Sequence, residues 1–68
     1  MMYQVIYKTE WQPRYPSPLW DEVEWTRTEG AEALSLHQTL KEEHTDRLQE
    51  TRPDGTTRMI CAKYEEES

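Results

Sequence analysis

This 68-residue chain has no phenylalanine, one cysteine and two glycines, and only 34% of it is hydrophobic. Each shortage excludes something. A lone Cys61 cannot form a disulfide within the chain, so the staples of many small secreted domains are missing and a reducing, cytoplasmic setting is expected. Two glycines leave no glycine-rich loop to cradle a phosphate. No apolar run approaches the roughly 18 residues that a membrane span needs, and the opening MMYQVIYKTE shows neither a basic leader nor a long apolar core. Ordinary domains are about 45–50% apolar, and a chain this short buries only about 60% of the surface its unfolded form exposes. Three Trp and four Tyr must therefore carry much of the packing of a single small domain.

What the chain has in abundance is acid. Fourteen Asp and Glu against eight Lys and Arg give a net charge of −6. That balance excludes a bare nucleic-acid binder, which needs a basic surface to meet phosphate. The charge is uneven: residues 1–19 carry Lys8 and Arg14 against Glu10 alone, and the acids concentrate beyond Trp20.

The hydrophobic period changes along the sequence. Tyr3, Val5, Tyr7, Thr9 and Trp11 alternate with Gln4, Ile6, Lys8 and Glu10, which predicts a strand over Tyr3–Trp11. Either face of that strand can serve as its inner one. Pro13, Pro16 and Pro18 follow, each fixing φ and removing an amide donor, and predict a stiff surface loop. Pairing is expected to resume near Trp20 and run to about Arg27. Ala33, Leu36, His37, Leu40 and His44 form one stripe at helical spacing, predicting an amphipathic helix from about Ala31 to Glu43. Strands over Arg47–Arg52 and Thr56–Tyr64 are joined by RPDGT, a type I turn sequence with a glycine for the left-handed position.

The predicted order is ββαββ: an α+β domain over residues 1–64, in which a four-stranded antiparallel sheet carries one helix on one face, followed by a frayed acidic tail at 65–68. One helix covers one face. If Val5, Val23, Trp25, Ile60 and Ala62 meet Ala33, Leu36 and Leu40, the other face holds Ile6, Trp20, Glu22, Glu24, Met59 and Cys61. Large apolar groups on an open sheet surface mark an interface.

Catalytic and metal chemistry find little to work with. His37 and His44 are seven apart, roughly 10 Å along a helix axis at about 1.5 Å per residue, too far to share one ion unaided. Cys61 lies mid-strand among apolar neighbours, where cysteine behaves as a small hydrophobe. Neither Ser17 nor Ser35 sits in a nucleophile-elbow motif. No enzyme activity, metal or cofactor is expected.

The Pro-rich stretch reads instead as a binding element. Prolines lower the entropy a loop loses on docking, and Trp, Tyr and Arg dominate interface hot spots. Arg14, Tyr15, Leu19 and Trp20 are its candidates, with Tyr7 and Trp11 on the sheet. Glu22 and Glu24, two apart on an extended strand, stand about 6.8 Å apart, a spacing comparable to that of neighbouring phosphates. Asp21 adds to that acidic surface. The expected role is a non-catalytic protein-binding module whose acids meet a basic groove on a larger host or effector protein. In size, acidity and lack of catalytic residues the chain resembles the small inhibitors encoded by phages and mobile elements, anti-CRISPR proteins among them. That resemblance is one of general character, and it implies a nucleic-acid-handling partner blocked by nucleic-acid mimicry, with no direct contact to nucleic acid or membrane. The alternative is a homodimeric structural or assembly part, built by pairing edge strands or open sheet faces.

Overall fold

In the computed structural model, which describes residues 1–16 and 19–66, strand β5 is the spine on which every other layer is laid. In chain order the elements are β1 (Met2–Lys8), β2 (Gln12–Pro13), β3 (Thr26–Arg27), α1 (Gly30–Glu42), β4 (Arg47–Thr51) and β5 (Thr56–Glu66). All five strands pair antiparallel, giving the expected α+β fold of one sheet and one helix. β4 flanks β5 on one side; β1 and β2 flank it on the other, and β3 pairs with the far edge of β1.

The described residues form five strands where four were expected: a bulge ends β1 at Lys8, short of the predicted Trp11, and Gln12–Pro13, expected in the loop, pair again with β5. Lys8 lies opposite Ile60 and Gln12 opposite Thr57, so Thr9, Glu10 and Trp11 face only Arg58 and Met59. One surplus residue bends a strand and flips the side-chain alternation beyond it. Pro13 is tolerated in β2 because it sits at the strand's end.

Residues directly opposite in the register share a face, which sorts the sheet. Ile6 pairs with Ala62, and Leu48 with Ile60; these pack with Leu36 and Leu40 of the helix, with Ile60 fully buried. Ile6, not Val5, thus faces the helix. Val5, Met59 and Cys61 lie on the opposite face, yet none is more than 4% exposed. The expectation of an open second face is overturned there. The reason is local: the predicted second strand, Trp20 to Arg27, shrinks to Thr26–Arg27, and Trp20–Trp25 is turn and irregular chain. Trp25, expected against the helix, stacks on Trp20 at 5.4 Å between ring centres, and both line a cavity with Cys61, Arg47 and Lys63. The indoles thus serve as the second layer that the single helix cannot supply.

The helix begins one residue before its predicted start, and Glu32 in its first turn complements the dipole. It ends in a Schellman motif: the amide of Thr45 donates to the carbonyl of Leu40, and that of His44 to Lys41, both at 3.1 Å. His44 occupies the left-handed position, φ 53°, that usually falls to glycine. The predicted hairpin forms at Arg52–Thr56, with Gly55 at φ 89° and the amide of Gly55 donating to Arg52 O at 3.0 Å. Asp54 accepts from both the amide and the hydroxyl of Thr56, and these bonds hold its carboxyl below the usual carboxylate range.

β5 runs two residues beyond its predicted end, so Glu65 and Glu66 pair with Tyr3 and Met2. The readings placed on Ser17, on Pro18 and on the last two tail residues lie outside the described residues. No helix among the described residues is long and apolar enough to cross a membrane.

Candidate functional site

The distribution of bases and acids sets the surface. Six cations each lie over an aromatic ring: Arg14 over Tyr15, Arg27 over Tyr3, Arg47 over Trp20, Arg52 and Arg58 over Trp11, and Lys63 over Tyr7. Lys8 instead reaches Glu32 of the helix at 2.6 Å, which holds that carboxyl below its usual range. Lys41 is thus the one Lys or Arg, among the described residues, with neither a ring nor a carboxylate. The bases are tied to the protein's own rings and acids, and the carboxylates Glu10, Asp21, Glu22 and Glu24 project into water with no ion-pair partner among the described residues.

Three of those four converge. Glu10, Glu22 and Glu24 line one concavity of about 320 Å³ with Thr9, Gln12 and Val23. The bulge places Glu10 there. Thr9 is pinned to Met59 by two hydrogen bonds, and its hydroxyl also approaches the carbonyl of Glu10 at 3.2 Å. Opposite, the amide of Glu22 donates to the carbonyl of Leu19 at 3.0 Å, closing a turn that sets Glu22 and Glu24 around the bend at Val23. Glu22 and Glu24 do not stand on a strand face, so the regular spacing expected of them is absent; a turn gathers them instead. Glu10 was missed in the sequence because the acidic candidates were sought beyond Trp20, and only the fold brings Glu10 of the first strand's end beside Glu22 and Glu24.

Next to this concavity in the chain stands the Pro-rich loop. Tyr15 is 75% exposed and Leu19 59%, and Arg14 and Pro16 are exposed too. Trp20 turns inward onto Trp25 and Arg47. Asp21 leaves the acidic group and lines the cavity of the two indoles. Tyr7 is half-buried, its hydroxyl donating to Glu65, which pushes the phenol's pKa up. Trp11 is half-buried with guanidinium carbons 3.8 Å and 4.8 Å from its ring centre. Tyr7 and Trp11 thus take part in separate internal networks. Of the eight candidate binding residues, Arg14, Tyr15, Asp21, Glu22 and Glu24 are exposed, Asp21 at the indole cavity and Glu22 and Glu24 at the acidic concavity, whereas Trp20, Tyr7 and Trp11 are half-buried in contacts within the chain.

The nucleophile and metal candidates lie apart from this end. Burial pushes the Cys61 thiol up, away from the thiolate form that reacts. His37 and His44 line a groove of about 560 Å³ with Lys41 and Tyr64. Among the described residues, no three His, Cys, Asp or Glu side chains converge closely enough to hold a metal ion.

Comparison with protein-family models, with curated proteins and with solved structures finds no match to this chain.

Proposed function

We propose that this protein is a non-catalytic binding module that docks on a basic surface of a larger, nucleic-acid-handling protein and blocks it. The observation that carries the proposal is the neighbourhood of two features at one end of the fold. One is the concavity that gathers Glu10, Glu22 and Glu24. The other is the exposed loop carrying Arg14, Tyr15 and Leu19. Charges at a rim steer encounter and suppress wrong partners, whereas aromatic and aliphatic anchors in a braced loop supply the lasting contact. A partner that fits both is cationic with an apolar recess, as grooves that bind nucleic acid are.

The cations held over rings add to this reading. An acidic protein whose bases are held against its own aromatic faces meets a basic partner with fewer repulsive contacts. The inhibitor role, of the kind found among phage and mobile-element proteins, follows from the same chemistry: an acidic body seated in a nucleic-acid groove excludes the acid that belongs there.

The test is charge reversal at the concavity. Replacing Glu10, Glu22 and Glu24 together by Lys should weaken binding to the captured partner by at least about tenfold at low salt and flatten its salt dependence. Binding that is unchanged at both low and high salt contradicts the proposal.

A further inference from the structure

On the face of the sheet turned away from the helix, the two indoles wall a recess of about 330 Å³. Three segments build it. The amide of Glu22, bonded to the Leu19 carbonyl at 3.0 Å, closes the turn that carries Trp20 and Asp21, and Trp25 stacks on Trp20. On the sheet side, the Ala62 amide donates to the Asp46 carbonyl at 2.9 Å, and the Thr45 hydroxyl bonds both backbone groups of Arg47, which fixes the start of β4. The register sets Arg47 directly opposite Cys61, and Lys63 lies two residues further along β5, so these three belong to one face of the sheet.

Four charged side chains line this recess, two of each sign: Asp21 and Asp46, Arg47 and Lys63. Their sum is zero in a protein of net charge −6. None of the four forms an ion pair among the described residues. Arg47 and Lys63 lie over the rings of Trp20 and Tyr7, at 5.5 Å and 5.6 Å, contacts that leave their N–H donors available to an acceptor. Burial does most to raise the Cys61 thiol, Lys63 and Arg47 pull it down and Asp46 adds to the rise, so three of the four charges act on one sulfur in the recess wall.

We infer that the recess binds a free α-amino acid with an aromatic or large apolar side chain, its ammonium on Asp21 and Asp46, its carboxylate on Arg47 and Lys63, and its side chain against the indoles. The charges exclude simpler ligands. A phosphate or nucleotide would meet two carboxylates, and a bare quaternary ammonium, which indole faces otherwise suit, would meet two cations. A ligand with both signs close together answers all four, and because its own net charge is zero the protein's −6 does not repel it. Size narrows the choice further: about 330 Å³ is near the floor of the roughly 300–1,000 Å³ range of small-molecule sites, room for one amino acid and not for a peptide. The recess shares no lining residue with the acidic concavity, so the two sites stand or fall separately.

Tryptophan fluorescence reads the site directly, because two of the three tryptophans wall it. L-Phenylalanine should change that emission saturably, with half-saturation at or below about 1 mM. N-acetyl-L-phenylalanine, which lacks the ammonium, and L-phenylalanine amide, which lacks the carboxylate, should each bind at least about tenfold more weakly, since each leaves two charges of the recess unanswered. Variants assign the two ends. Asp21→Asn with Asp46→Asn should abolish the preference for L-phenylalanine over its N-acetyl form, and Arg47→Gln with Lys63→Gln the preference over the amide; all four side chains are exposed, which spares the core. No saturable change up to about 10 mM L-phenylalanine, equal binding of the three compounds, or double variants that keep the wild-type preferences would overturn the inference. If a variant does not fold, the three-compound comparison on the wild-type chain decides alone.

Discussion

Thr9 grips Met59 from both sides: its amide donates to the Met59 carbonyl and its hydroxyl accepts from the Met59 amide, each at 2.9 Å. A side chain here completes a ladder that the bulge would leave one bond short. Both residues are buried, Thr9 to 3% and Met59 to 1% exposure, so water cannot replace the hydroxyl. Thr9→Val keeps the shape and removes the acceptor. It should cost about 1–3 kcal/mol, the penalty of an orphaned buried amide, read as a lower urea midpoint with unchanged slope. Because Glu10 is the next residue, the same variant should also loosen the acidic concavity.

The covered second face of the sheet makes its own prediction. Trp20 and Trp25 share a cavity with Cys61. Trp20 is half-buried, and losing the apolar area it covers, at about 25 cal/mol per Å², costs about 2 kcal/mol, which raises the population of locally open states by at least about tenfold. Trp20→Ala should therefore speed modification of Cys61 by a thiol reagent by at least about tenfold. A thiol that reacts at the same slow rate in the variant would mean that the indoles are not its cover.

His44 holds a glycine's place at the end of the helix, with φ 53°. A residue with a Cβ pays roughly 1–2 kcal/mol in that conformation, and Gly does not. His44→Gly should raise stability by about 1 kcal/mol in chemical denaturation, and His44→Ala should not. That outcome would mark His44 as a cap position, where the spacing in the sequence had placed it in the helical stripe.

How far the sequence reached follows from where period and turn chemistry were unambiguous. The helix stripe of Leu36 and Leu40 and the Pro-Asp-Gly turn are local signals, and the structure matches both to within about two residues. The second strand failed because alternating Trp20, Glu22, Glu24 and Asp21, Val23, Trp25 looks the same whether the chain pairs or folds back. Burial of the indoles against Cys61 decided it, a long-range contact that no short window contains. The bulge at Thr9–Trp11 was equally invisible: one surplus residue reverses the later side chains, which is why alternation placed Trp11 with Tyr7. In the candidate site, Arg14, Tyr15, Glu22 and Glu24 were legible from composition, because prolines and charges announce an exposed segment. Their grouping with Glu10 required the fold.

The most direct measurement is competition. The protein is immobilised and loaded with the partner it captures from cells, and single-stranded DNA is then added at physiological salt. The account predicts that DNA displaces the partner in a dose-dependent way, and that Tyr15→Ala with Leu19→Ala lowers the amount of DNA needed by at least about tenfold, one hot-spot anchor being worth 2 kcal/mol or more. A partner that stays bound at saturating DNA, or one that binds equally well to a protein with Glu10, Glu22 and Glu24 reversed to Lys, would contradict it.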